Sequence, residues 1–389
     1  MALKNTAAIV GIGDVELDNG KVLEGKSVFQ IQAQAAKRAL DDAGLSKKDV
    51  DGLFVAGLWG LPGVGQFPSA VMGEYLGIHP KFTDSTQIGG AAAEVHIGHA
   101  AAAIKAGLCE VALIIYGSTQ ASENKRLPVK PTTLTGQYET PFGLPNPVGA
   151  YAMAAHRHMH QYGTTSEHLA EIAVATRKWA QLNPYATKRD PLTIEDVLHS
   201  PMISDPLHLL DCCLVTDGAG AIVVVSAERA KDCRKKPIWL LGQGESHSHW
   251  SIQGMPDLAT LTSAQSSGKA AFEMAGVTPN EIDVVEIYDS FTITVLLALE
   301  ALGFCKPGEG GDFVSNQRTA PGGEFPLNTN GGGLSYAHPG MYGIFLVIEA
   351  VRQLRGECGD RQVKDAKLAL ANGIGGSLST SSTVILGRD

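Results

Sequence analysis

The chain has 389 residues, 45 of them glycine, and a formal net charge of −9. That length exceeds one average core and calls for two domains or one duplicated domain. The acidic balance, with no clustered Lys/Arg block, argues against a nucleic-acid binder, because phosphate contacts need such clusters. Six cysteines without CxxC spacing fit a reducing, cytoplasmic compartment and neither a zinc ribbon nor a disulfide frame.

The opening "TAAIVGIG" is too short for a signal peptide and runs at once into acidic "DVELD", so it reads as a first strand. Next comes "QAAKRALDDAGLSKKDVDGLFVAG", Gln34 to Gly57. It predicts an amphipathic helix, an Ala-Gly stop, a Ser-x-x-Asp capping box and an apolar strand. "TDSTQIGGAAAEVHIGHAAAAIKAGLCEVALIIYGS", Thr83 to Ser118, predicts a polar loop, a helix buried on all sides and a buried strand. From about Thr119 to Leu210 the chain is polar and Pro-rich, then helical. This is an insertion that would lie over the sheet ends, where α/β proteins bind ligands. "DGAGAIVVVS" follows as a closing strand.

The remainder repeats this plan. "KPIWLLGQG" echoes the first strand, and "SGKAAFEMAGVTPNEIDVVEIYDS", Ser267 to Ser290, echoes the helix–stop–strand unit. Gly44 matches Gly276, and Asp51 matches Asp283. Gly331-Gly332-Gly333 before "YGIFLVIEAVRQLRG" echoes Gly89-Gly90, and "STSSTVILG" echoes the closing strand. Two halves are therefore expected, residues 1–235 and 236–389. Strands alternating with helices imply mostly parallel sheets covered by helices.

The loop before the Ala-rich helix is where many enzymes seat an activated nucleophile. Here it offers Asp84, Ser85, Thr86, Gln87 and Ile88, and no cysteine. A serine or threonine needs an adjacent base to act as a nucleophile, and no Gly-x-Ser-x-Gly elbow is present. Ser85 and Thr86 are thus read as lining residues and Asp84 as a loop cap. Tyr288 ends the apolar "IDVVEIY" and should stand at a sheet's carboxyl edge. Cys109, Cys212 and Cys213 are expected in the core, with at most one of the adjacent pair facing a pocket. His156 and His160 share a helical face, but no third metal ligand is evident, so no metal is expected.

The duplicated halves, the Gly-rich nucleophile loop, "IYDSF", "NTNGGGLSYAHPG" and "ANGIGGS" resemble the thiolase superfamily. "MHQYGTTSEHLAEIAVATRKWAQLNPYA" and "DPLHLLDCCLVTDGAGAIVV" resemble its sterol-carrier-protein-type members. The resemblance implies a duplicated five-layer α/β/α/β/α fold with the inserted loop domain, and a homodimer in which "EVALIIYGS" pairs across the twofold. It implies a CoA thioester bound under the inserted domain, and no cofactor beyond CoA as part of the substrate. Both family cysteines are missing, and the His of the sterol-carrier-type His-Asp-Cys-Phe motif is replaced by Tyr288. The family's Gly-His-Pro persists as Ala337-His338-Pro339.

On that resemblance His338 would hold the thioester oxygen, and Tyr288 would move a proton at a substrate hydroxyl, with Tyr336 or Tyr342 as substitutes. Gly89, Gly90, Asn330, Gly375 and Gly376 would line the substrate beside Ser85 and Thr86. Lys125, Arg126 and Arg177 would meet CoA phosphates. The implied activity is retro-aldol cleavage of a β-hydroxyacyl-CoA. The alternatives are an acyltransferase with a displaced nucleophile and a silent acyl-CoA- or lipid-binding subunit. The aldolases of this kind work with a small OB-fold, zinc-ribbon partner, which leaves room for a heterotetramer.

Overall fold

Nine strands form one hydrogen-bonded sheet in the computed structural model, which describes residues 3–57, 67–123 and 131–388. They are β1 (Ala7–Asp14), β2 (Gly52–Val55), β3 (Phe82–Asp84), β4 (Val111–Ser118), β5 (Gly218–Ser226), β6 (Ile238–His247), β7 (Val284–Ile287), β8 (Leu368–Gly375) and β9 (Thr380–Gly387). Their order is β7-β8-β9-β6-β1-β5-β4-β2-β3. The repeat seen in the sequence is a repeat of topology: β2-β4-β5-β1 in one half matches β7-β8-β9-β6 in the other. The counterpart of β3 has shrunk to a single parallel bridge, Val285 to Leu327. The halves join where β1 meets β6, through Ala8–Trp239 and Ile9–Ile238 alone. The proposed division at 235/236 falls between β5 and β6.

The sheet is not mostly parallel. Three pairings are parallel (β2–β3, β2–β4, β7–β8) and five are antiparallel. Helical crossovers give parallel neighbours, but each closing strand, β5 and β9, runs against both of its neighbours. β9 leaves β8 through the short Gly376–Ser379 turn, which permits only a hairpin. β4 is central as expected, yet β5 and β2 occupy both its edges. It cannot pair across a twofold; the edge strand on that side is β3.

The longer helices are α1 (Val28–Ala43), α2 (Ala92–Lys105), α3 (Val148–Tyr162), α4 (Ser166–Gln181), α5 (Thr262–Ala275), α6 (Thr292–Ala301) and α7 (Gly343–Arg355). α1 starts at a capping box between Ser27 and Gln30 and stops at Gly44, whose φ of 73° suits glycine. α5 stops in the same way at Gly276, φ 68°. α1 packs on β1, β5 and β4, and α5 on β6, β9 and β8, while α2 and α7 touch strands of both halves. The two halves of the sheet therefore serve as two sheet layers, with α2 and α7 between them and α1 and α5 outside, the five-layer α/β/α/β/α arrangement expected. Along β4, Leu113 and Ile115 join the core under α1, while Ala112, Ile114 and Tyr116 join the larger core around α2 and α7. That alternation is the period of a strand buried on both faces. The insertion contributes α3, α4 and a small hairpin (Met202–Ser204 with Leu207–His208), and α4 packs on α6 and on the 332–336 turn. No helix among the described residues is long and apolar enough to cross a membrane.

Candidate active site

Tyr288 follows β7 directly, and its N–H donates to Asn372 O of β8 at 3.0 Å, so the sheet fixes its backbone. Its ring lies over Gly90. A Cβ at Gly90 would sit 2.2 Å from Tyr288 Cε2 and 2.3 Å from Ile374 O. Tyr288 Oη is 2.9 Å from His338 Nε2 and 3.1 Å from Gly340 O, and it accepts the Tyr342 N–H at 3.2 Å. Tyr342 caps the N-terminus of α7, where unpaired N–H groups favour negative charge. Burial pushes the Tyr288 phenol well above its usual range, and the Tyr342 N–H works against that rise.

His338 is held by its backbone. Its N–H donates to Thr216 Oγ1 at 2.9 Å, and its C=O accepts from Thr216 N at 3.2 Å and Gln120 Nε2 at 3.0 Å. Beyond Pro339, Tyr116 Oη donates to Pro339 O at 2.5 Å and accepts the Met341 N–H at 3.1 Å. The Gly332–Tyr336 turn that leads into His338 closes on Asp289, which accepts the Gly333 and Leu334 N–H groups at 2.6 and 3.1 Å. Gly332 adopts φ 61°, and a Cβ there would lie 2.0 Å from Asp289 Oδ2. Burial raises the Asp289 carboxyl to about 7, with those N–H groups opposing. The His338 ring meets Tyr288 edge-on at 5.5 Å and stacks on Tyr342 at 6.1 Å.

The other predicted residues divide. Tyr342 joins the cluster through its ring and N–H, but its hydroxyl donates to Asn330 Oδ1 at 2.8 Å. Asn330 Oδ1 also accepts the Gly332 N–H, so this side chain organises the loop. Tyr336 points elsewhere: its hydroxyl donates to Asp14, which forms a bidentate pair with Arg352. Ser85 Oγ lies 2.6 Å from Ser69 Oγ, and Thr86 donates twice to Asp84 Oδ1. Asp84 is the expected cap. His99 Nδ1, 2.5 Å from Asp84 Oδ2, and Thr86 hold its carboxyl far below the usual range against the cost of burial. The same contact, with help from Glu245, raises His99 to about 9.

Gly89 and Gly90 interleave with Gly375 and Gly376. A Cβ at Gly89 would be 3.1 Å from Gly376 N, and one at Gly375 would be 1.8 Å from Ile88 O. Arg177 is buried, donating to Ser335 Oγ and Asp190 O, so it serves the fold and not a CoA phosphate. Lys125 and Arg126 lie outside the described residues. His156 bonds Asp205 at 2.9 Å, and no metal-holding group of His, Cys, Asp and Glu exists among the described residues.

Sequence reasoning missed two residues. Tyr151 of α3 reaches the C-terminal glycine loop, where its hydroxyl donates to Gly376 O at 2.9 Å, and its ring packs 4.3 Å from Phe291. Burial raises its phenol to about 12, with the Ser290 hydroxyl opposing. The available signal was a lone tyrosine on the apolar face of an inserted helix. Cys213 is not core: its N–H donates to Ser290 O, and its thiol is near enough to disfavour ionisation of both Tyr151 and Tyr288. Cys109 and Cys212, raised by burial to about 11 and about 12, are poor nucleophiles.

A buried phenol against an imidazole, at a helix N-terminus and over two interleaved glycine loops, is equipped for proton transfer without a thiol at Ser85–Ile88. Fold and loops together define a thiolase-superfamily enzyme, and the chain belongs to that superfamily. Within it the chain lies on the sterol-carrier-protein-like aldolase branch. Residues 244–388 match the thiolase C-terminal domain-like family. The chain is 36% identical over 368 residues to a 17-hydroxy-3-oxo-4-pregnene-20-carboxyl-CoA lyase of Mycobacterium tuberculosis, covering 91% of this chain and 92% of the relative. It is 35% identical over 408 residues to a steroid side-chain-cleaving aldolase of Thermomonospora curvata, covering 100% and 99%. The solved Ltp2-ChsH2(DUF35) aldolase superposes with a TM-score of 0.89 at 34% identity, covering 100% of this chain and 99% of that one.

Proposed function

We propose that this chain cleaves a β-hydroxyacyl-CoA by a retro-aldol reaction, with no acyl-enzyme intermediate. The observation that carries the reading is the 2.9 Å contact between Tyr288 Oη and His338 Nε2, with the Tyr342 N–H on the same oxygen. Tyr288 takes the β-hydroxyl proton as it passes its own to His338, so no free phenolate has to persist in a buried site. The Cα–Cβ electron pair moves onto the thioester as an enolate, Cβ–O becomes a carbonyl, and the new imidazolium offsets the enolate charge. The names of the relatives, a carboxyl-CoA lyase and a side-chain-cleaving aldolase, support this reading and favour a bulky, polycyclic ketone as the second product. CoA enters as part of the substrate and no further cofactor is needed.

The working assembly, on this proposal, is a homodimer that carries a small OB-fold, zinc-ribbon subunit on each protomer. The two-component name of the solved aldolase supports a partner subunit. The test is incubation with β-hydroxyacyl- and β-ketoacyl-CoAs, with and without such a subunit, followed by mass detection of products and intact protein. Ketone plus a shortened acyl-CoA, with unmodified protein, is expected. An acyl adduct on Ser85, Thr86 or Cys213 would favour an acyltransferase, and binding without turnover a silent subunit.

A further inference from the structure

Retro-aldol cleavage leaves an account open at carbon: the enolate of the departing acyl-CoA needs a proton at Cα. The groups around Tyr288 and His338 are arranged to receive a proton. We infer that Tyr151, from the inserted helix α3, is the acid that delivers a proton to Cα. This rests on the retro-aldol reading above.

The two tyrosines stand at the same pair of glycine loops. Tyr288 lies on Gly90, Gly89 packs against Gly375 and Gly376, and Tyr151 bonds Gly376 O. They are also linked through the main chain after β7, because the Tyr151 ring packs on Phe291, three residues from Tyr288. Their surroundings share one pattern and differ in one group. Each hydroxyl donates to a main-chain carbonyl, Gly340 O for Tyr288 and Gly376 O for Tyr151, and each oxygen receives a main-chain N–H, from Tyr342 and from Leu378. Tyr288 also faces the His338 imidazole nitrogen, which can take a departing proton, while beside Tyr151 stand the Ser290 hydroxyl and the Cys213 thiol, with Phe291 along its ring. An acceptor carbonyl favours the protonated phenol. Its upward shift to about 12 agrees: Tyr151 keeps its proton at neutral pH, as an acid must.

The step balances. Tyr151 O–H rotates from Gly376 O toward the substrate and its proton forms the Cα–H bond. The enolate electron pair becomes that bond, and the phenolate left behind regains a proton from solvent, which in turn takes up the proton held by His338. No oxidant or metal enters.

The experiment uses the full assembly and the acyl-CoA product in deuterated solvent. Wild-type enzyme should exchange Cα hydrogens of that product, the reverse of the last step. Tyr151→Phe should slow exchange roughly 10²-fold or more, while a single turnover of β-hydroxyacyl-CoA should still release ketone. A merely structural role would slow ketone release and exchange together, with altered KM. A fluorotyrosine at position 151, a more acidic phenol of nearly unchanged shape, should move the high-pH limit of exchange downward. This second readout decides the case if Tyr151→Phe folds poorly. Exchange at the wild-type rate in Tyr151→Phe, or an unmoved limit with fluorotyrosine, would overturn the assignment. If wild-type enzyme itself neither cleaves nor exchanges, the retro-aldol reading fails as well, and the two failures are distinct.

Discussion

Tyr288 Oη and His338 Nε2 sit 2.9 Å apart although fifty residues of sequence separate them, and each is fixed by backbone contacts of its own. Tyr288 hangs from β8 through Asn372, and His338 from Thr216 and Gln120. The pair therefore acts as a unit, and its single variants should not add. Tyr288→Phe keeps the ring over Gly90 and should lower kcat roughly 10²–10⁴-fold. His338→Ala should cost on the order of 10²–10³-fold. The double variant should be little worse than Tyr288→Phe alone. Steady-state kinetics of the cycle check this; additive losses would separate the two residues' roles.

Gly90→Ala tests the seat beneath the ring. The added carbon would meet Tyr288 Cε2 at 2.2 Å and a main-chain carbonyl at 2.3 Å, and the carbonyl cannot swing aside as a flexible side chain could. Overpacking of this kind typically costs about 1–3 kcal/mol. A lower melting temperature is expected together with loss of turnover well beyond what the lost stability explains, because Tyr288 must shift. Wild-type activity would show that the ring's position tolerates movement.

Asp289 should matter through the loop it closes. Asp289→Ala strands the Gly333 and Leu334 N–H groups in a buried turn, at a cost of about 1–3 kcal/mol each. It also frees the residues that lead to His338. Asp289→Asn keeps one acceptor and should fall between wild type and alanine, both in thermal denaturation and in turnover. Equal melting temperatures for wild type and alanine would remove Asp289 as the anchor.

Much of this was legible because the halves repeat local chemistry. Ser46 with Asp49 and Thr278 with Glu281 form the same turn, each acid accepting from the N–H and hydroxyl of the residue three before it. Asp51 clamps the N–H groups of Glu110 and Val111 as Asp283 clamps those of Lys367 and Leu368. Such bonds are short-range and leave a spacing that can be read. The direction of β5 and β9 was not legible, because an apolar strand has the same pattern whichever way it runs. Nor was the choice among tyrosines. Tyr336 and Tyr342 flank His338 in sequence, but the turn at 332–336 sends one hydroxyl to Asp14 and the other to Asn330. Tyr151 arrives from the insertion and Cys213 from the segment just after it, and their docking depends on long-range packing that no local pattern encodes.

Glu94 supplies the last test. It lies in the apolar stretch of α2, fully buried, with neither carboxyl oxygen hydrogen-bonded among the described residues. It fits only because its neighbours are glycines: a Cβ on Gly343 or Gly373 would come within 2.5 or 2.3 Å of Oε2. Burial raises its pKa from 4.5 to about 8. Below about pH 4.5 the group is neutral folded and unfolded, and its contribution to stability is fully present. As pH rises toward 8 the unfolded chain releases the proton while the folded chain keeps it, so unfolding becomes easier, by up to about 1.4 kcal/mol per pH unit from this group. Glu94→Gln is close in shape and cannot ionise. Its stability, followed by denaturant titration from pH 4 to 9, should run parallel to wild type at the acid end. It should gain on wild type through the neutral range and level off above about pH 8. Other buried acids such as Asp289 are common to both proteins and cancel in the difference. Curves that stay parallel from pH 5 to 8.5 would mean that Glu94 ionises freely in the folded protein, and that the centre of the molecule is wetter or more mobile than its packing indicates.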